Sequence, residues 1–127
     1  MRNNRIVVIE DDSLLSQTIR MCLTKRGHEV KTFGNGVDAA RHLMEEKPDL
    51  VVLDIRLPDC DGWFLASLLR KDTQAGRTPI VVISALEPDR SRMADTKPYA
   101  FIQKPFDMAQ LVQTVEKGLK EETLTAA

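Results

Sequence analysis

At 127 residues the chain falls in the single-domain range, and no Pro-, Gly- or Ser-rich stretch divides it. With 43% hydrophobic and 29% charged residues it can bury a core, which excludes a disordered chain. Its 18 basic and 19 acidic residues nearly cancel, which argues against nucleic-acid binding through this chain; no apolar run is long enough for a bilayer, so a soluble, cytoplasmic protein with no membrane contact is expected.

The first apolar tetrad, Ile6-Val7-Val8-Ile9, does not alternate with polar residues and reads as a strand buried on both faces, the mark of a parallel sheet between helices. A helix follows, with Leu15, Ile19, Cys22 and Leu23 on one face and Gly27 placed for a left-handed C-terminal cap. Glu29 to Phe33 alternates and suggests an edge strand; Val37, Ala40, Leu43 and Met44 then mark a second helix, ended by Pro48. Leu50-Val51-Val52-Leu53 is the second buried tetrad, and Phe64, Leu65, Leu68 and Leu69 mark a third helix beginning near Gly62. Ile80-Val81-Val82-Ile83 is the third tetrad. The helix after it, within Asp89 to Asp95, is faint: Pro88 can at best start it, Pro98 disfavours helical geometry at Lys97, and Met93 is its one large apolar residue. Ala100 to Gln103 is a weaker strand, and Met108, Leu111, Val112, Val115 and Leu119 make the clearest helix.

Five strand–helix alternations predict one α/β doubly wound domain over residues 1–127, with a core of 5–120 and a tail, 121–127, that frays. Cys22 and Cys60 fit neither a disulfide framework nor a metal-ligand spacing and read as reduced and structural.

In open α/β sheets ligands gather beyond the carboxyl ends of the strands, so the residue after each apolar run is informative. There stand Glu10, Asp11 and Asp12 after the first strand, Asp54 after the third, Ser84 after the fourth, and Lys104-Pro105 after the fifth. Two carboxylates at about 4 Å repel by roughly 4 kcal/mol at an intermediate dielectric, and Lys104 offsets only part of that repulsion. The remainder invites a hard divalent cation, and an all-oxygen set favours Mg²⁺ (or Mn²⁺) over zinc. A carboxylate beside such an ion, with a hydroxyl and an ammonium opposite, suits covalent phosphoryl capture on Asp. Asp12 reads more readily as the N-cap of the first helix than as a ligand. Asp54, ending a fully apolar strand, has no local cap to supply and reads as functional.

The motifs Ile-Val-Val-Ile-Glu10-Asp11-Asp12, Leu-Asp54-Ile-Arg-Leu-Pro58-Asp-Cys-Asp61-Gly62, Val-Val-Ile-Ser84-Ala85 and Phe-Ile-Gln-Lys104-Pro105-Phe106 resemble those of the receiver domain of bacterial response regulators, CheY-like, over Arg5 to Lys120. The resemblance implies a flavodoxin-like five-stranded parallel sheet of order 2-1-3-4-5. It implies Asp54 as phospho-acceptor and metal ligand, Asp11 as direct metal ligand, Glu10 as a ligand through water, and the Arg56 backbone carbonyl completing the Mg²⁺ (or Mn²⁺) shell. Ser84 would hydrogen-bond the phosphoryl group, Lys104 would form an ion pair with it, the Lys104–Pro105 bond would be cis, and Ser84 and Phe101 would form the switch. Departures from the family pattern are Ser84 for the commoner Thr, Phe101 for the commoner Tyr, and a shortened 86–99 segment that implies a short or irregular fourth helix. Implied partners are a sensor histidine kinase or phosphotransfer protein and a downstream effector protein or domain, with a homodimer left open. Such a domain is a signalling module, catalysing only its own phosphorylation and dephosphorylation. The alternative is a pseudo-receiver that docks partners without phosphorylation. A hydrolase with an Asp nucleophile fits less well because it needs Asp-x-Asp after one strand, and a flavin binder because three acids would repel its phosphate.

Overall fold

The computed structural model describes residues 4–72 and 76–126, with side chains as far as Glu121. Strands β1 (Arg5–Ile9), β2 (Glu29–Phe33), β3 (Leu50–Asp54), β4 (Ile80–Ser84) and β5 (Ala100–Gln103) alternate with helices α1 (Ser13–Lys25), α2 (Gly36–Glu45), α3 (Gly62–Lys71), α4 (Arg90–Thr96) and α5 (Met108–Ala126). All pairings are parallel, in the order β2-β1-β3-β4-β5. The three tetrads form β1, β3 and β4 at the sheet centre, and the alternating segment Glu29–Phe33 lies at an edge, as its half-polar pattern demands.

Alternate residues of each central strand serve opposite layers. Val7, Ile9, Val51, Leu53, Ile80 and Val82 pack with Ala39 and Leu43 of α2 and Trp63, Leu65, Ala66 and Leu69 of α3. Ile6, Val8, Leu50, Val52, Val81 and Ile83 pack with Ile19 and Leu23 of α1 and Leu111, Val115 and Leu119 of α5. Each fully buried aliphatic side chain contributes about 1.5–3 kcal/mol of transfer free energy, so both faces hold the sheet against its helices.

Two helix faces differ from the periodicity-based reading. In α2 the buried residues are Gly36, Ala39 and Leu43, while Val37 and Met44 are exposed. In α3, Trp63, Leu65, Ala66 and Leu69 are buried, while Phe64 and Leu68 are about half exposed. Leu43, Leu65 and Leu69 face the core as their spacing predicts, and the buried stripes are completed by Gly36 and Ala39 in α2 and by Trp63 and Ala66 in α3. The cap after α1 is as expected: Gly27 takes φ +93°, its N–H bonds the Thr24 carbonyl and that of His28 bonds the Leu23 carbonyl.

The fourth helix is short, Arg90–Thr96, with Asp89 as N-cap accepting from the Arg92 amide. It ends at Lys97, a non-glycine residue with φ 46° immediately before Pro98. Met93 packs against the α2–α3 layer. The last helix continues to Ala126, beyond Lys120 where the folded core was expected to end; Ala127 lies outside the described residues.

Candidate functional site

The sheet register builds the site. Ile9 pairs with Leu53, so Glu10 and Asp54 leave adjacent strands side by side at the carboxyl edge. Asp54 pairs with Ile83, and Ser84 with Gln103, which brings Ser84 and Lys104 to the same edge. The Lys104 amide donates to the Ser84 carbonyl at 2.7 Å, and the Lys104–Pro105 peptide is cis.

Glu10 and Asp54 are both buried, 1% and 4% exposed, yet neither is left without a partner. The Lys104 ammonium donates to Glu10 Oε1 at 2.6 Å and to Asp54 Oδ2 at 2.9 Å. The Asp12 amide donates to Glu10 Oε2, and the Arg56 amide to Asp54 Oδ1. Burial pushes the Glu10 carboxyl up from 4.5 to about 7, outweighing the Lys104 and Asp12 hydrogen bonds that favour its charged form; the neighbouring Asp54 charge adds to the rise. Lys104 also loses hydration on burial, but its hydrogen bonds to Glu10 and Asp54 prevail and raise it above the usual lysine value.

Asp11, exposed on the rim, completes a group in which one carboxylate oxygen each of Glu10, Asp11 and Asp54 lie within 4.8 Å of one another. One ammonium against three carboxylates leaves an excess of negative charge, and the donor set is entirely oxygen. Both properties fit a hard divalent cation. Asp12 is turned away from this group: its Oδ1 accepts from the Leu14 and Leu15 amides and caps α1.

Ser84 is buried, its Oγ accepting from the Leu86 amide at 3.0 Å. It lines a cleft of about 460 Å³ between the β3–α3 and β4–α4 loops, with Arg56, Asp61, Trp63, Arg92 and Phe101 among the other walls. Phe101 is half-buried and stacks on Trp63, ring centroids 6.4 Å apart at 17°. Arg56 itself is exposed, with its amide on Asp54 Oδ1.

Three features of the loop after Asp54 were not read from the sequence. Gly62 is one: a Cβ there would lie 2.5 Å from the Asp54 carbonyl oxygen and 2.7 Å from Ile55 Cα, so only glycine allows α3 to start against the Asp54–Ile55 backbone. The Asp-Gly pair at 61–62 was the available signal. The Trp63–Phe101 stack and the contacts of Asp59 join chain-distant residues and leave no local signature.

A family profile described as "Response regulator receiver domain" matches residues 6–116. The chain belongs to the response regulator receiver family. The phosphate regulon transcriptional regulatory protein PhoB of Rhizobium meliloti is 35% identical to this receiver over 118 residues, 91% of this chain and 52% of that protein. The transcriptional regulatory protein PrrA of Mycobacterium tuberculosis is 34% identical over 124 residues, 96% of this chain and 52% of its own length. The chain spans about half the length of the curated relatives it matches. Among solved structures, the receiver domain of sensor histidine kinase PA1611 from Pseudomonas aeruginosa PAO1, with a magnesium ion coordinated in its active-site cleft, superposes with a TM-score of 0.83 at 25% identity, covering 94% of this receiver and 99% of that chain. A CheY-like receiver from Methanospirillum hungatei JF-1 reaches 0.91 at 20% identity over 98% and 99%, which supports the shared fold. Among the described residues, no helix is long and apolar enough to cross a membrane.

Proposed function

We propose that this receiver accepts a phosphoryl group on Asp54 from a phosphohistidine of a histidine kinase or phosphotransfer protein, in a reaction that needs a divalent cation, and that it thereby controls an effector. The observation that carries this reading is the Lys104 ammonium bridging buried Glu10 and Asp54, with Asp11 completing the carboxylate group. Burying two carboxylates together is costly, and their shared pairing with Lys104 supports phosphoryl chemistry at this edge over docking alone.

Asp11, Asp54 and the Arg56 carbonyl would hold Mg²⁺ (or Mn²⁺), with Glu10 behind them. When bound, the ion neutralises the carboxylates and draws charge from the transferring oxygens. The chain's own groups supply the rest. An Asp54 carboxylate oxygen attacks phosphorus while the P–N bond to the donor imidazole breaks; the donor ring, already protonated on its other nitrogen, keeps the P–N electron pair and leaves as neutral imidazole. Lys104 then moves its ammonium charge onto the phosphoryl oxygens, and the Ser84 hydroxyl donates to one of them in place of its resting contact with Leu86. Phe101, on the wall of the same cleft, repacks against Trp63 as Ser84 moves.

Labelling with acetyl phosphate and Mg²⁺ tests the reading. Wild-type protein takes up close to one phosphoryl group that alkaline hydroxylamine releases, and Asp54→Asn takes up none. Label on Asp54→Asn would disprove the acceptor assignment, and hydroxylamine-resistant label would move it to Ser84. Wild-type protein that stays unlabelled with both acetyl phosphate and phosphohistidine donors, while still binding a partner, is the pseudo-receiver outcome.

A further inference from the structure

The loop from Ile55 to Asp61 carries the Arg56 carbonyl, and its base is closed locally. Arg56 and Asp61 form an isolated antiparallel bridge, and the Gly62 amide donates to the Ile55 carbonyl at 2.7 Å. Its outer end is held by a different element. Asp59 is an exposed carboxylate, a residue that ordinarily turns to water, yet both of its oxygens are engaged. Oδ1 accepts from the Gly36 amide at 2.7 Å and Oδ2 from the Val37 amide at 2.8 Å, the first two residues of α2. These two bonds also hold the Asp59 carboxyl below the usual carboxylate range. The neighbouring Cys60 lies against Gly36, where any Cβ would collide with its Sγ.

Helix α2 already has a cap of its own. Asn35 is in the N-cap conformation and its side-chain oxygen accepts from the Asp38 amide at 2.8 Å. Asp59 takes the two amides that Asn35 does not reach, and in doing so ties the acceptor loop to a helix that contributes no residue to the acid cluster.

We propose that Asp59 is a positioning residue of the acceptor loop, whose two bonds to α2 fix the stretch presenting the Arg56 carbonyl and thereby set metal affinity. This rests on the reading of Asp11, Asp54 and the Arg56 carbonyl as the cation site. The dipole and amides of α2 satisfy the Asp59 charge, so this acid stays turned away from the cation and acts only through the loop.

The test compares Asp59→Ala, Asp59→Asn and Asn35→Ala in the whole chain, by calorimetric Mg²⁺ titration and by amide exchange at Arg56 and Gly62 in metal-free protein. Asn35→Ala strips α2 of its own cap without touching the loop, and urea unfolding checks that all variants are folded. Asp59→Ala weakens Mg²⁺ binding by about tenfold, the scale expected for loss of a group supporting a metal ligand. Asp59→Asn, which keeps one acceptor oxygen, regains part of that loss, and Asn35→Ala binds as wild type. Exchange at Arg56 and Gly62 quickens in Asp59→Ala relative to Asn35→Ala. Unchanged affinity in Asp59→Ala, or equal weakening by Asn35→Ala, overturns the proposal. Wild-type protein that takes up no Mg²⁺ overturns the cation-site reading instead, and the exchange comparison then decides the loop-holding role alone.

Discussion

Replacing Glu10 by Gln should make the metal-free receiver less sensitive to pH and more stable at alkaline pH. Glu10 is an acid whose folded-state value is raised, from 4.5 to about 7, because it is buried beside Asp54. Between those two values the folded chain carries a proton that the unfolded chain has lost. The stability contributed by this group is therefore fully present below about 4.5 and is lost as pH rises through about 7. At 1.36 kcal/mol per pH unit the full effect is on the order of 3 kcal/mol, of which roughly 2 kcal/mol falls between pH 5.5 and 8. Glutamine keeps the size of the side chain and one acceptor for Lys104, but cannot ionise. The window lies above the range in which the lowered carboxyls of Glu46, Asp59 and Glu116 titrate, and contributions common to both proteins cancel in the difference. Urea unfolding in EDTA at half-unit steps measures it. Wild-type stability minus that of Glu10→Gln should fall by about 2 kcal/mol from pH 5.5 to pH 8. A flat difference would show that Lys104 alone balances the buried pair, and that the proton plays no part in the metal-free site.

Other expectations follow from single contacts. Asp11→Ala should weaken Mg²⁺ binding at least about tenfold while Asp12→Ala leaves it nearly unchanged and instead costs about 1 kcal/mol of stability, because Asp12 caps α1; equal calorimetric affinities would refute the ranking. Gly62→Ala should destabilise by roughly 1–3 kcal/mol in urea, since the added methyl overlaps the Asp54 and Ile55 backbone; a change within experimental error would show that the loop yields freely. Arg70 donates to the carbonyls of Thr96 at 2.6 Å, Thr78 at 2.7 Å and Lys97 at 3.2 Å, fastening the end of α4 to α3. Arg70→Ala should therefore speed amide exchange at Met93 and Lys97 well beyond any change in α5, and unchanged exchange would show that Met93 packing holds the helix by itself.

What could be read in advance was decided by where the polar residues stand. Three uninterrupted apolar tetrads rich in Val and Ile marked a buried parallel sheet, and a charged or hydroxyl residue directly after each could only emerge at one edge. Parallel pairing then did the assembling: once Ile9 is opposite Leu53, Asp54 opposite Ile83 and Ser84 opposite Gln103, the acids and Lys104 meet without further instruction. The helix faces were harder, because α2 and α3 carry apolar residues on more than one stripe. Leu43, Leu65 and Leu69 face the core as read, but the apolar Met44, Phe64 and Leu68 stay exposed while Ala39, Trp63 and Ala66 are buried in their place. Asp59 was harder still. Nothing in the string Leu-Pro58-Asp59-Cys60 distinguishes a solvated turn acid from one that grips the amides of Gly36 and Val37, since that choice is made only when the sheet brings the β3–α3 loop beside α2. The chemical groups of this site were thus written at strand ends, where register alone aligns them. The contacts that hold the β3–α3 loop in place depend on packing between layers, and packing is not written in any local pattern.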